Sequence, residues 1–170
     1  MDLQTRFKHA DIIAEHYSDF KLFATDAIKF MGFDISPMQL DIADYIANGP
    51  KFRMIMAGRG EAKSTLAYIY CLWRLVQRPS TIIFVVTSKE SLSMQVATGM
   101  KQLLFQWDIL EYMKPDRNAG DRVSTAAFDI HYALKGVNKS PSMSIGSITG
   151  GITGNRAAIV TGKQIGRAHV

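Results

Sequence analysis

An α/β fold, with a parallel sheet flanked by helices, is predicted by three observations. The apolar run Phe52-Arg53-Met54-Ile55-Met56 breaks into a Gly-rich turn and then a helical pattern. The run Ser80–Thr87 is continuously apolar and β-branched, as a strand covered on both faces requires. Strand, helix, strand, helix then follow at the lengths of βαβ units. With 170 residues, 47% hydrophobic and 21% charged, the chain is long enough for one domain with a sizeable core and has an ordinary globular composition.

The elements follow in order. Between Asp11 and Met31 the apolar positions Ile13, Tyr17, Phe20, Ala24, Ala27 and Met31 recur at helical spacing, so residues 1–36 read as an N-terminal helical segment. Pro37 pushes Ser36 toward an extended conformation and ends it. A short helix is expected from Met38 to Ala47, stopped by Asn48-Gly49-Pro50. The strand at Phe52–Met56 comes next, then a helix from Ser64 to Gln77 with Leu66, Ile69, Trp73 and Val76 facing inward. After the strand at Ser80–Thr87, a helix from Lys89 to Gln106 carries Leu92, Val96, Met100 and Leu103. Thr125–Ala133 and Ser142–Ile148 read as shorter strands.

No apolar run approaches a membrane span, and the N-terminus lacks an apolar signal-peptide core. The lone Cys71 excludes an internal disulfide and reads as a buried helix residue. A cytoplasmic protein is the expectation. The net charge of +5 suits a nucleic-acid partner without demonstrating one, because the basic residues are scattered. Lys114, Arg117, Arg122, Lys135 and Lys139 are the densest group, but Asp116, Asp121 and Asp129 interrupt it, which equally describes a solvated mixed-charge surface. His9, His16, His131 and His169 have no ligand-like spacing and read as surface residues. Met54, Met56, Met94 and Met100 fall on core-type positions.

Chemistry is concentrated in Ala57-Gly58-Arg59-Gly60-Glu61-Ala62-Lys63-Ser64-Thr65. A strand, a Gly-rich turn and Lys-Ser at a helix start make the layout of a phosphate-binding P-loop. Backbone N–H groups of the turn would face phosphate oxygens, with the helix N-terminus adding positive potential. Lys63 would reach the β- and γ-phosphates and the Ser64 hydroxyl would ligate Mg²⁺, with Thr65 as an adjacent helix-start contact. Both glycines of G-x-x-x-x-G-K-[ST] are replaced here, by Ala57 and Ala62. Alanine takes φ > 0 only at a cost. The competing reading is a tight strand-to-helix turn that binds nothing. The fold class is thus a P-loop NTPase core spanning 37–163, incomplete at its C-terminal end.

From about Phe20 to Arg156 the chain resembles the large subunit of tailed-phage terminases, particularly the podovirus kind (DNA maturase B). Arg59-Gly60-Glu61-Ala62-Lys63-Ser64-Thr65 is similar to that family's P-loops, which have an early arginine and tolerate Ala before the lysine. Pro37-Met38-Gln39 resembles its adenine-recognition segment, and a Gln39 amide can both donate to and accept from adenine. Val86-Thr87-Ser88-Lys89 ends a strand beside where the family's nucleotide lies, although Thr87 and Ser88 could equally cap the next helix. Gly150–Ala157 is similar to the segment before the family's Walker B strand.

The resemblance implies the ATPase part of a terminase large subunit, coupling ATP hydrolysis to packaging of double-stranded DNA into a procapsid. It implies ATP and Mg²⁺ as cofactors and Arg59 as a γ-phosphate contact. The implied partners are phage DNA, a terminase small subunit and the portal protein, with a homo-oligomeric ring in the host-cell cytoplasm and no membrane. Departures are equally specific. Where the family has an apolar strand ending in paired acids, this chain has Ala158-Ile159-Val160-Thr161-Gly162, and no Asp or Glu follows Asp129. The family's nuclease domain is absent too. Without those carboxylates hydrolysis by this chain alone is not expected. Ile165–Val170 matches the translation of a widely used sequencing adapter, so 164–170 is expected to be an artefact. Two other classes fit less closely: another P-loop DNA translocase or helicase-like ATPase, and a non-catalytic nucleotide-binding remnant.

Overall fold

The computed structural model describes residues 1–58, 62–148 and, for the backbone alone, 159–163. The N-terminal periodicity resolves into two helices, α1 (Leu3–His16) and α2 (Phe20–Phe30), rather than one. Asp19 caps α2 by accepting the Lys21 N–H. The Tyr17 carbonyl left at the break accepts hydrogen bonds from Trp73 Nε1 at 2.6 Å and Gln77 Nε2 at 2.8 Å. Both donors lie on α4 (Lys63–Gln77), so the break is where the N-terminal helices are fastened to the rest. Between them, α3 (Pro37–Asn48) opens on a capping box in which Ser36 Oγ accepts the Gln39 N–H and Gln39 Oε1 accepts the Ser36 N–H. Proline at its first turn fits the same start.

The sheet runs β2-β3-β1-β4, with β1 (Ile83–Thr87) at its centre. Parallel neighbours flank it: β3 (Met143–Ser147) in register Ile83↔Met143 and β4 (Ile159–Lys163) in register Ile83↔Ile159. The two-residue β2 (Ala127–Phe128) adds antiparallel to β3, so the sheet is mixed rather than purely parallel. Only this part of Thr125–Ala133 pairs as a strand; a single-turn helix, α6 (Tyr132–Lys135), follows it. The long α5 (Glu90–Gln106) packs on α4, β1 and β3. Glu90 in its first turn complements the helix dipole.

One buried cluster runs from Tyr17 to Met143, so α2 and α3 share the core of the sheet. Leu66, Ile69 and Val76 are buried on α4, and Val96, Met100 and Leu103 on α5, as their periodicity predicts. Cys71 is buried as well, and burial pushes its thiol up to about 12, the state of an unreactive core residue.

Three expectations are corrected. Residues 52–56 form no strand. The segment is an apolar run, but only its Ile55 packs on the core. Phe52, Met54 and Met56 are 85%, 79% and 89% exposed, so both methionines, and Met94 on α5 with them, are surface residues rather than packing. An apolar run makes a strand only where a ladder partner is available, and this segment pairs with none among the described residues. The strand that a P-loop core sets before its loop is therefore missing from the described sheet. Last, His131 is buried rather than on the surface, its Nδ1 accepting the Ala133 N–H at 3.2 Å. Burial lowers its pKa, with the Arg6 charge acting in the same direction.

Candidate functional site

Ala62 ends the turn with φ 52 and ψ 28, the left-handed conformation, and is the sole non-glycine at positive φ among the described residues. This is the position where the motif asks for glycine. The backbone takes the conformation the motif needs and does so with a side chain that disfavours it, at a cost of about 1–2 kcal/mol. Ala62→Gly is expected to stabilise the chain by about 0.5–1 kcal/mol, the relief being partly offset by glycine's greater unfolded-state entropy. A thermal midpoint no higher than wild type would show that no strain is held there.

The left-handed residue turns the chain directly into α4, whose first internal bond is the Leu66 N–H to the Ala62 carbonyl at 2.8 Å. No side chain caps this 15-residue helix. Its leading N–H groups, including those of Lys63, Ser64 and Thr65, are therefore unsatisfied by a cap and carry the positive end of the dipole. Lys63 folds back over the turn, its ammonium donating to the Ala57 carbonyl and, at 2.7 Å, to the Gly58 carbonyl. A cation and a row of N–H donors thus share one helix start, which is the electrostatic requirement of a phosphate site.

Ser64 is half-buried at the second position of α4, and its hydroxyl has no hydrogen-bond partner among the described residues. It can offer one oxygen to Mg²⁺. No cluster of three or more His, Cys, Asp or Glu able to hold a metal occurs among the described residues. The fit to Mg²⁺ is therefore partial: one hydroxyl, with the remaining ligands to be supplied by phosphate oxygens and water. Arg59, Gly60 and Glu61 lie outside the described residues, as does Gly150–Ala157.

Gln39 is engaged in the α3 capping box, its Oε1 accepting the Ser36 N–H at 3.0 Å. Its amide NH₂ remains able to donate, and the second lone pair of Oε1 remains able to accept. The Ser-x-x-Gln spacing that signals such a box is present in Ser36-Pro37-Met38-Gln39, so this role was legible from sequence.

At the carboxyl edge of the sheet, Thr87 is buried and its hydroxyl donates to the Lys89 carbonyl. Thr87 Oγ1 lies 2.7 Å from Ser93 Oγ, which donates to the Gly146 carbonyl at 2.7 Å. Neither Thr87 nor Ser88 is the N-cap of α5; that position is Lys89, without a side-chain bond. Thr87 instead ties β1 to α5 and, through Ser93, to β3. Three of the five basic residues of this region are engaged in ion pairs: Asp129 pairs with Lys135 at 2.9 Å and Arg122 at 3.8 Å, and Lys114 pairs with Glu111.

No family model matches the chain. The chain is similar to the terminase large subunit of Enterobacteria phage T3, with 28% identity over 160 residues that take in 93% of this chain and 27% of that protein. It thus spans about a quarter of that relative's length. None of its described helices is long and apolar enough to cross a membrane. The resemblance drawn from the sequence is borne out at this level: the chain is similar, along nearly its whole length, to part of a phage terminase large subunit.

Proposed function

We propose that this chain carries the nucleotide-binding part of a terminase large subunit, which in the whole protein couples ATP hydrolysis to packaging of double-stranded DNA into the procapsid. The observation that carries the reading is the helix start: left-handed Ala62, an uncapped α4 and the Lys63 ammonium seated on the turn's own carbonyls. On ATP binding, Lys63 exchanges the Ala57 and Gly58 carbonyls for β- and γ-phosphate oxygens. The N–H groups of the turn from Ala57 to Ala62, with Gly58, Gly60 and Glu61 between, and of the first turn of α4 take the remaining phosphate charge. Ser64 supplies one oxygen to the Mg²⁺ that arrives with the nucleotide, and Thr65 closes the helix start. Arg59 approaches the γ-phosphate, where a positioned arginine is worth several powers of ten in rate. Gln39 meets adenine through its free NH₂. In the whole protein the partners are double-stranded DNA, the small subunit and the portal, within a ring in the host cytoplasm.

The chain is expected to bind ATP without turning it over, because Ala158-Ile159-Val160-Thr161-Gly162 carries no acidic side chain to orient water or share the metal. Calorimetric titration with ATP and Mg²⁺, run beside a phosphate-release assay, checks both halves. Absence of binding would overturn the nucleotide reading. Phosphate release that disappears with Lys63→Ala would show that the needed base lies within these residues after all.

A further inference from the structure

His131 caps a helix with a nitrogen that accepts a hydrogen bond only while it carries no proton. Its Nδ1 takes the Ala133 N–H at 3.2 Å, at the head of α6. Both nitrogens of a charged imidazolium are donors, so protonation turns this bond into two N–H groups facing each other. The ring cannot simply swing away. It is 5% exposed and stacks on Tyr132 with centroids 4.5 Å apart, and its backbone N–H donates to the Met113 carbonyl at 2.9 Å. Arg6 of α1 is fixed nearby, its Nη1 donating to the adjacent Tyr112 carbonyl, and its charge opposes a second cation at His131. Asp116 and Asp121 act the other way. Asp121 faces the same turn, its Oδ2 accepting the Tyr132 N–H at 3.0 Å and the Asp116 N–H at 2.8 Å. Of the neighbouring charges, Glu111 pairs with Lys114 and Lys135 with Asp129.

We propose that His131 is an acid-sensitive latch on residues 129–142: neutral, it closes α6 and keeps Lys135 on Asp129; protonated, it lets this turn open. Because α6 is a single turn, its cap is a large share of what holds it. Lys135 stands at the end of that turn and reaches back to Asp129 Oδ1 at 2.9 Å. Asp129 accepts the Ser142 N–H, and Ser142 Oγ accepts the Ile130 N–H at 3.1 Å, just before the chain enters β3. Opening α6 therefore loosens the join between β2 and β3. Burial lowers the folded pKa of His131, so the latch is fully closed above the ordinary histidine value of about 6.5 and opens as pH falls through the folded one. Asp129 is held below the ordinary carboxylate value and stays charged over that range, so the two titrations occupy separate pH windows. None of these groups belongs to the phosphate site, and the latch stands whether or not the chain binds ATP.

His131→Asn keeps a capping oxygen and removes the titration, whereas His131→Ala removes the cap at every pH. Thermal midpoints of the whole chain are compared by circular dichroism, with His9 and His16 retained in every form. From about pH 7.5 to about pH 5, the wild-type midpoint is expected to fall about 3 °C further than that of His131→Asn, the worth of one cap in a chain of this size. His131→Ala should start about 3 °C low and then follow the pH slope of His131→Asn. Nitrogen-15 spectra of the wild type read the latch itself. Nδ1 is expected to be unprotonated at about pH 7.5, and the Ala133 amide to lose exchange protection as the imidazole charges. Equal slopes in wild type and His131→Asn would overturn the latch. So would a proton on Nδ1 at about pH 7.5, or an Ala133 amide whose protection does not follow the imidazole. If His131→Asn does not fold, the two wild-type spectra decide by themselves.

Discussion

Lys63→Ala is expected to weaken ATP binding by about a hundredfold while the chain remains folded. Two charge-assisted hydrogen bonds to phosphate oxygens, each on the order of 1.5 kcal/mol net, give roughly 3 kcal/mol, or two powers of ten in affinity. Among the described residues the ammonium bonds the Ala57 and Gly58 carbonyls of the turn. The stability change should therefore stay within about 0.5 kcal/mol, the range of surface substitutions. Calorimetry and thermal denaturation on the same preparation separate the two effects. Undiminished affinity in a folded variant would remove the proposed site, whatever the likeness to terminases.

The largest stability effect is expected at Lys135, far from the loop. Its Nζ lies 2.9 Å from Asp129 Oδ1, with both side chains nearly inaccessible. Asp129 also accepts the Ser142 N–H at 3.2 Å and the Arg122 N–H at 2.9 Å. Burial alone would raise its pKa, but the Arg122 N–H, the Lys135 ammonium and the Ser142 N–H together hold it below the ordinary carboxylate value. Lys135→Met removes the cation and leaves a buried carboxylate underpaired, a change that costs about 3–5 kcal/mol. For a chain of this size that corresponds to a thermal midpoint lower by roughly 10 °C. Because the folded pKa of Asp129 is depressed, its contribution is complete above the unfolded value and is lost as pH falls through the folded one. The deficit of Lys135→Met should accordingly shrink on acidification, as Asp129 takes up a proton and stops demanding a partner. A deficit independent of pH would place its origin in packing of the lysine stem rather than in the charge pair.

The ion pair also explains the basic segment between Lys114 and Lys139. Read along the chain it resembles either a nucleic-acid surface or a solvated mixture, and sequence alone leaves both open. In the folded chain Asp129 draws Lys135 and Arg122 inward, and Glu111 engages Lys114. Charges adjacent in space neutralise one another although they are separated in sequence, so composition overstates the free positive charge of this region.

The site was legible to the extent that it is local. Helix α4, its inward face and the Lys-Ser-Thr start follow from periodicity over a single element, and α3 and α5 are likewise found within a residue or two of their expected ends. What escaped was non-local. The packing of the Tyr68 ring on Gly99 joins α4 to α5, and the isolated Gly99 inside a helical pattern was the available signal for that close approach. The N-terminal break was invisible because the Tyr17 carbonyl finds its donors on Trp73 and Gln77, more than fifty residues away.

By itself the sequence determined the α/β class, the main helices and a central strand within Ser80–Thr87. Each rests on the spacing of neighbours along the chain, where backbone geometry sets which side chains share a face. Only the tertiary structure decided that Phe52–Met56 stays outside the sheet and that Ala62 takes the left-handed conformation. Those outcomes depend on which hydrogen-bond partners and neighbours the fold delivers to a segment, and that competition is settled in space rather than along the chain.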